Sequence, residues 1–311
     1  MAAHDHGPNY HVRHHYHHHA PSTHDWAFAI GVGLNSAFIA AEITFGVMAN
    51  SVALLADAMH NIGDVLALLL AWAASRLARR PPTVARTYGW GRFSILAALA
   101  NAILLLLGVG AIAWEALGRL SNPSAVDSHV VIWVAAVGIA VNGATALLFL
   151  RGQAEDLNIR TAFWHMAADA LVSAGVVAAA VLIGLTGLLW LDPLASLLIA
   201  LVIAAGTWGL LRQSMGLALD AVPAGIDPAA VGACLRALPG VTEVHDLHVW
   251  GLSTTDIGLT AHLVTDALAD GGLLGRAIHA MEEKFHIHHA TFQLETAADA
   301  ARCRLRPASV I

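Results

Sequence analysis

Charge is scarce in this sequence. Asp, Glu, Lys and Arg make up 12% of 311 residues, and lysine occurs once, at Lys284, against about a quarter charged residues in an ordinary soluble domain. With 57% hydrophobic residues, that deficit points to the membrane. Cysteine is almost as rare. Cys234 and Cys303 are the only two, and their separation excludes both a disulfide framework and a CxxC metal knuckle. The soluble parts are therefore expected to face a reducing compartment. The N-terminal stretch lacks the charged n-region, short apolar core and small-residue cleavage site of a signal peptide, so no cleavage is expected. HExxH, GxSxG and phosphate-loop patterns are missing as well, which argues against those catalytic classes, and no nucleic-acid partner is indicated.

What the sequence does contain is long apolar runs. Stretches of about 20 residues, enough to cross a bilayer, are read at Trp26–Met48, Val52–Ala74, Ile95–Leu117, Val130–Leu150, Ala162–Leu185 and Leu191–Leu211. These predict a membrane α-helical bundle of six transmembrane helices over residues 26–213. From 214 to 296 the composition becomes mixed and polar, as expected for one small soluble domain. There Asp227-Pro228 starts a helix that ends at Pro239-Gly240, with Val231, Cys234, Leu235 and Leu238 at helical spacing. Strand-like runs Val241–Leu252 and Ile257–Val264 follow, separated by a polar turn. Leu274, Ala277, Ile278, Met281 and Phe285 mark a second amphipathic helix, and Ala290–Glu295 a last strand. The order αββαβ predicts a small α+β, ferredoxin-like sheet with helices on one face. Residues 297–311 are expected to form an unstructured tail.

Arginine sets the orientation. Arg76, Arg79, Arg80, Arg86 and Arg92 lie in the 2–3 loop, Arg151 and Arg160 in the 4–5 loop, and Arg212 after the sixth span, with only Arg119 on the other side. The positive-inside rule then places both termini and the soluble domain in the cytoplasm, and abundant alanine and arginine with a single lysine point to a bacterial inner membrane. Residues 1–25 hold nine histidines without apolar periodicity, as expected for a disordered tail that collects borderline metals loosely through neutral imidazole. An expression tag is the alternative reading.

Ionisable residues inside spans carry the chemistry. Asp57, His60 and Asp64 stand at i, i+3 and i+7 in the second span and project from one face. His165 and Asp169 repeat the i, i+4 spacing in the fifth. An Asp at the bilayer centre costs about 2.5–3.5 kcal/mol, so these groups must face one another or water. Two imidazoles and two carboxylates from adjacent helices complete the tetrahedral shell that zinc prefers and balance its charge. Magnesium favours a hydrated octahedral oxygen shell and copper(I) favours sulfur, leaving cobalt, cadmium, iron and manganese as lesser options. Interhelical hydrogen bonding by isolated polar residues is the competing structural explanation, and it is weakened by the repeated motif. Asp57 suits a fifth ligand, a group that orients His60 from behind, or a proton carrier, the second being favoured. Asn35, Glu42, Asn101, Glu115 and Asn142 suit interhelical hydrogen bonding. For Glu42 and Glu115, near span ends, a reach to the interface is the alternative.

The segment Ser51-Val-Ala-Leu-Leu-Ala-Asp-Ala-Met-His-Asn-Ile-Gly-Asp64 resembles the second-span signature of the cation diffusion facilitators. Thr87-Tyr-Gly-Trp-Gly-Arg-Phe93, the His165/Asp169 pair, Asp192-Pro193 and Val244-His-Asp-Leu-His-Val-Trp250 match that family too. The resemblance covers about Trp26 to Glu295. It implies a homodimer that exports cytoplasmic zinc in exchange for protons by alternating access, with a metallochaperone-like cytoplasmic domain. The family's ligands fall on His60, Asp64, His165 and Asp169, and His at position 60 fits the zinc-selective branch. A second metal site found in the 2–3 loop of some relatives is expected to be absent, since 78–88 holds no His, Asp, Glu or Cys. A regulatory zinc site maps onto His245, His262 and Glu295, although Gln293 stands where some bacterial relatives have histidine. His248, His279, His286, His288 and His289 have weaker claims.

Two readings of other classes compete with this one. HxxxD also resembles the general-base motif of certain acyltransferases, but a membrane enzyme would need a substrate-sized cavity and a nucleophile or open metal position. A metal-sensing receptor would bind tightly without net flux.

Overall fold

A computed structural model describes residues 25–149, 157–266 and 272–306. The nine histidines of the N-terminal tail thus lie outside the described residues. Six long helices form the first part: α1 (Asp25–Met48), α2 (Val52–Ala78), α3 (Phe93–Ser121), α4 (Ser128–Phe149), α5 (Leu157–Thr186) and α6 (Leu191–Ala218). Among the described residues, five of them are long and apolar enough to cross a membrane, and α1 adds the apolar stretch Asn35–Met48. Their exposed positions include Trp114, Trp133, Leu171, Leu185 and Trp208, as suits helices whose outer surface meets lipid tails.

The bundle is built around α2, which packs against α1, α3, α5 and α6, while α4 pairs with α5 and α3 with α6. Its first turn shows why. Ser51 caps α2 by accepting from the Leu54 N–H at 3.2 Å, and its hydroxyl donates to Asp192 in the first turn of α6. The other Asp192 oxygen accepts from the Val52 N–H at 2.8 Å. A carboxylate thereby satisfies backbone donors that the start of α2 cannot pair within itself, and it sits at the positive end of the helix dipole. The two motif elements Ser51 and Asp192-Pro193 are thus one interaction. Nearby, Asn50 takes a left-handed φ of 55°, and its side chain donates to Ser124 Oγ and Ala125 O. Arg119 donates to the Asn50 carbonyl at 2.6 Å and pairs with Glu115. The one arginine on this side is therefore tied to loop structure.

Gly63 and Gly108 let α2 and α3 approach closely. A Cβ at Gly63 would stand 2.3 Å from Leu105 Cδ2, and one at Gly108 would stand 2.6 Å from Met59 Sδ. The sixth helix runs to Ala218, past the boundary expected at Ser214, because Ser214 and Leu217 remain buried against their neighbours.

After α6 come α7 (Pro228–Arg236), β1 (Val241–Gly251), β2 (Ile257–Thr265), α8 (Leu273–Phe285), β3 (His289–Glu295) and α9 (Ala297–Ala300). The expected αββαβ order is present. β1 pairs antiparallel with β2, and β2 parallel with β3, in the order β1-β2-β3. Leu259, Ala261 and Leu263 of β2 alternate onto the face covered by Val231 and Leu235 of α7 and Ala277 and Met281 of α8. Residues 296–306 do not form an unstructured tail. Thr296 and Asp299 form a reciprocal capping box that starts α9, and α9 packs on β2 and β3. The domain meets the bundle through Ser94 at the start of α3, which accepts from the Thr254 N–H at 3.0 Å in the β1–β2 turn. Arg92 pairs with Asp220, and the Tyr88 ring meets His289 edge-on.

Replacing Asp192 by Ala strands the Ser51 hydroxyl and the Val52 N–H, an expected cost of about 1–3 kcal/mol for buried donors left unpaired. Thermal unfolding in detergent should show a clear drop in midpoint for Asp192→Ala and a smaller one for Asp192→Asn. An unchanged midpoint in the alanine variant contradicts this account of the α2–α6 joint.

Candidate metal sites

The helix α2 presents Asp57, His60 and Asp64 toward α5. His60 Nε2 lies 2.9 Å from Asp169 Oδ1, and donor atoms of His60, Asp64 and Asp169 all lie within 4.8 Å of one another. Asp169 is buried, with its side chain 3% exposed, whereas His60 is 22% exposed. One turn further along, Ser173 of α5 donates to Asp57 Oδ2 at 2.8 Å. The contacts Asp57–Ser173 and His60–Asp169 run in opposite directions along the two helices, so they form an antiparallel polar ladder. Continuing the register brings position 165 of α5 to the level of Asp64, although the His165 side chain lies outside the described residues. Three of the four expected ligands are thus brought together, and the fourth position lies on the same helix one turn from Asp169.

Two residues lie behind the cluster. Asp57 accepts a hydrogen bond from Ser173, which ties α2 directly to α5. Glu42 does not reach the interface. It is fully buried, and its Oε2 accepts from Asn61 Nδ2 of α2 at 2.9 Å, since α1 turns this face toward α2. Glu115 does lie at the exposed surface, paired with Arg119. Ser173 and Asn61 carried no signal in the sequence beyond their helical spacing from Asp169 and Asp57.

A second group of donors sits on the helix-free face of the sheet. His245 and His262 are register partners on β1 and β2, with ring centroids 5.1 Å apart. Val264 of β2 is opposite Glu295 of β3. Glu295 reaches His262 Nδ1 at 3.1 Å and His245 Nε2 at 3.2 Å. Gln293, opposite His262, donates to Glu295 Oε1 at 2.7 Å and is an orienting neighbour of the group. A bulge between His245 and His248, with Asp246 at φ 50°, turns Asp246 toward His262 Nε2, 3.4 Å away. Sequence alternation alone would send Asp246 to the other face. His248, His279 and His288 each pair with a nearby carboxylate instead, Asp246, Glu283 and Glu282.

Cys303, which the sequence did not connect with this group, lies 3.7 Å from His262 Nδ1. Donor atoms of His245, His262, Glu295 and Cys303 all lie within 4.8 Å of one another. The segment is held by α9 and by Arg306, which donates to both oxygens of Glu243 at 2.9 and 2.7 Å. Those hydrogen bonds hold the Glu243 carboxyl below its ordinary pKa. The Thr296-x-x-Asp299 capping pattern was the available clue that the chain stays ordered here.

Both the helical bundle and the small sheet domain match known protein families. A model described as the cation efflux transmembrane domain covers residues 28–217, and one described as the cation efflux protein cytoplasmic domain covers residues 223–297. The chain belongs to the cation efflux family. It is 38% identical over 292 residues to the cation efflux system protein CzcD of Alcaligenes sp. strain CT14, covering 92% of each chain. It is 35% identical to the zinc transporter ZitB of Escherichia coli, over 85% of each. To the cadmium, cobalt and zinc/H(+)-K(+) antiporter of Bacillus subtilis it is 33% identical, over 83% of this chain and 84% of that one. The solved metal-bound C-terminal domain of CzcD from Cupriavidus metallidurans shares 37% identity and covers 22% of this chain and 99% of its own, with a TM-score of 0.21. This cation efflux protein is a multi-pass membrane transporter of metal cations and not an enzyme.

Asp57→Asn keeps the shape of the side chain but removes its charge from behind the cation cluster. The variant should need roughly 10–100-fold more divalent cation for half-maximal flux, the usual effect of losing a partner behind the ligands. Wild-type concentration dependence in vesicles would contradict that role.

Proposed function

We propose that this cation efflux protein exports zinc from the cytoplasm in exchange for protons, through a site formed by His60, Asp64, His165 and Asp169, by alternating access. The observation that carries the proposal is the convergence of His60, Asp64 and Asp169 donor atoms within 4.8 Å on facing helices. With His165 added, the shell offers two nitrogens and two carboxylates, a donor set suited to tetrahedral zinc. The named transport of zinc by ZitB supports the choice. The alternative is a broader exporter of cobalt, cadmium, iron or manganese, supported for cadmium and cobalt by the name of the Bacillus subtilis antiporter. Along α2 beyond Asp64, Ala67, Leu70, Ala74 and Ala78 line a cavity of about 600 Å³ that is bounded by the β1–β2 turn. That cavity supports access to the site from the side that bears the sheet domain.

The arginine-rich 2–3 and 4–5 loops orient that side toward the cytoplasm, with both termini, in a bacterial inner membrane. The protein acts as a homodimer through its cytoplasmic domain. His245, His262 and Glu295 form a regulatory metal site there, binding zinc as a ligand rather than as cargo. The N-terminal histidines raise the local zinc concentration without forming the pathway.

Protons enter the cycle by competition. Zinc binding requires unprotonated imidazole and carboxylate, so acid weakens binding and favours release. Protons on Asp64 and Asp169 would also neutralise carboxylates that otherwise return through the membrane charged.

In vesicles, Asp64→Ala and Asp169→Ala should each abolish zinc flux while the dimer keeps its elution volume. At clamped voltage, an inward proton gradient should drive zinc outward against its own gradient. Near-normal flux in either variant removes the site, and indifference to the proton gradient makes the protein a facilitator. His60→Asp replaces a borderline nitrogen by a hard oxygen, so cadmium or manganese should compete better with zinc in that variant. An unchanged competition profile contradicts the role given to His60 in selectivity.

A further inference from the structure

We propose that Cys303 supplies a thiolate as the fourth donor of the cytoplasmic site, and that residues 296–306 latch over the helix-free sheet face to hold a borderline or soft divalent cation such as zinc, cadmium or cobalt. This inference rests on the reading that His245, His262 and Glu295 bind metal at all.

The distances fit a ligand shell. In a tetrahedral site with Zn–S near 2.3 Å and Zn–N or Zn–O near 2.0–2.1 Å, neighbouring donors stand about 3.3–3.6 Å apart. Here His262 Nδ1 is 3.1 Å from Glu295 Oε1, His245 Nε2 is 3.2 Å from Glu295 Oε2, and Cys303 Sγ is 3.7 Å from His262 Nδ1. A simple S–H···N contact accounts for the last distance but not for the state of the other donors. Both nitrogens of His245 and the Oε2 atom of Glu295 are buried in contacts that miss hydrogen-bond geometry: Nε2 faces Glu295 Oε2 at 3.2 Å and Nδ1 faces Glu243 Oε1 at 3.6 Å, with the His245 and Glu295 side chains each 5% exposed. Buried polar atoms are rarely left so, unless another group completes them. A cation among these four donors takes one ring nitrogen of His245 and the Glu295 carboxylate together, leaving the other His245 nitrogen to Glu243.

The latch explains why a cysteine beyond the last strand is in position. The capping box at Thr296 and Asp299 turns the chain back over the sheet, α9 packs on β2 and β3, and the two-pronged Arg306–Glu243 pair fastens the far end to β1. A shallow cavity lined by Gln293, Glu295, Asp299, Arg302 and Cys303 leaves an approach from solvent. Binding breaks the Cys303 S–H bond, forms a sulfur–metal bond with the sulfur's electron pair, and releases the proton to water; no oxidant is involved. Sulfur makes this site softer than the nitrogen and oxygen set of the membrane site, so cadmium should be favoured over manganese more strongly here.

The test uses the full chain in detergent, titrated with Co²⁺. A thiolate-to-cobalt charge-transfer band should appear for wild type and Cys234→Ser and be lost in Cys303→Ser; the membrane site and the N-terminal histidines have no thiol to produce it. Zinc should slow alkylation of Cys303 but not of Cys234, read by peptide mass. Arg306→Ala should speed Cys303 alkylation in the metal-free protein. Persistence of the band in Cys303→Ser, or equal zinc protection of both cysteines, overturns the proposal, as does an Arg306→Ala variant with unaltered reactivity. Equilibrium dialysis separates the two levels. If wild type binds one more Co²⁺ than His245→Ala/His262→Ala but shows no charge-transfer band, the cytoplasmic site stands and Cys303 is not its ligand. If those two proteins bind equally, the site and the proposal fall together.

Discussion

A carboxylate inside a bilayer is costly unless something faces it, and α2 carries two, with a histidine between them. That demand puts α2 at the centre of the bundle, in contact with α1, α3, α5 and α6. Each polar residue on its buried surface meets a partner from a different helix: Asn61 meets Glu42 of α1, Asp57 meets Ser173 of α5, and His60 meets Asp169 of α5. The first turn of α2 meets Asp192 of α6. The cation cluster and the packing of the bundle therefore depend on the same helix face. A protein that must present charged ligands to a cation inside a membrane has no cheaper place for them than the seam between helices.

Close approach of the helices supports this arrangement. At Gly63 and Gly108 the side chains of Leu105 and Met59 occupy the space where a Cβ would stand, so α3 lies tightly along α2. The helix is consequently held firmly beside His60 and Asp64. Below Asp64, small residues of α2 leave the cavity that opens toward the sheet domain.

The sheet domain uses its two faces differently. One is covered by α7 and α8 and forms an ordinary apolar core, while the other gathers His245, His262, Glu295 and Cys303. β1 runs from the histidine cluster to the turn that touches Ser94 at the start of α3. A short, continuous strand thus links the cytoplasmic donors to the helix packed against α2.

Much of the architecture was legible because the bilayer restricts it so strongly. Apolar length alone marks the spans, and in a medium without water only helices can satisfy so many backbone groups. The αββαβ order followed from turn residues and from periods of two and 3.6, and the spacing of Asp57, His60, Asp64 and Asp169 marked the polar faces that meet between α2 and α5, because helical geometry is local. Other features were decided by contacts between segments distant in sequence. For Glu42, an interhelical hydrogen bond and a place at the interface were both open, and the packing of α1 against Asn61 decided for the first, since burial of a single helix face depends on what lies across from it. Asp246 joined the histidines only through a bulge, which displaces strand alternation by one residue. Cys303 followed the last strand in a segment with no apolar period, so nothing local marked it as ordered. Its place beside His262 comes from a capping box, from α9 packing on the sheet and from Arg306 reaching Glu243, 63 residues away in the chain, and only the folded chain brings those groups together.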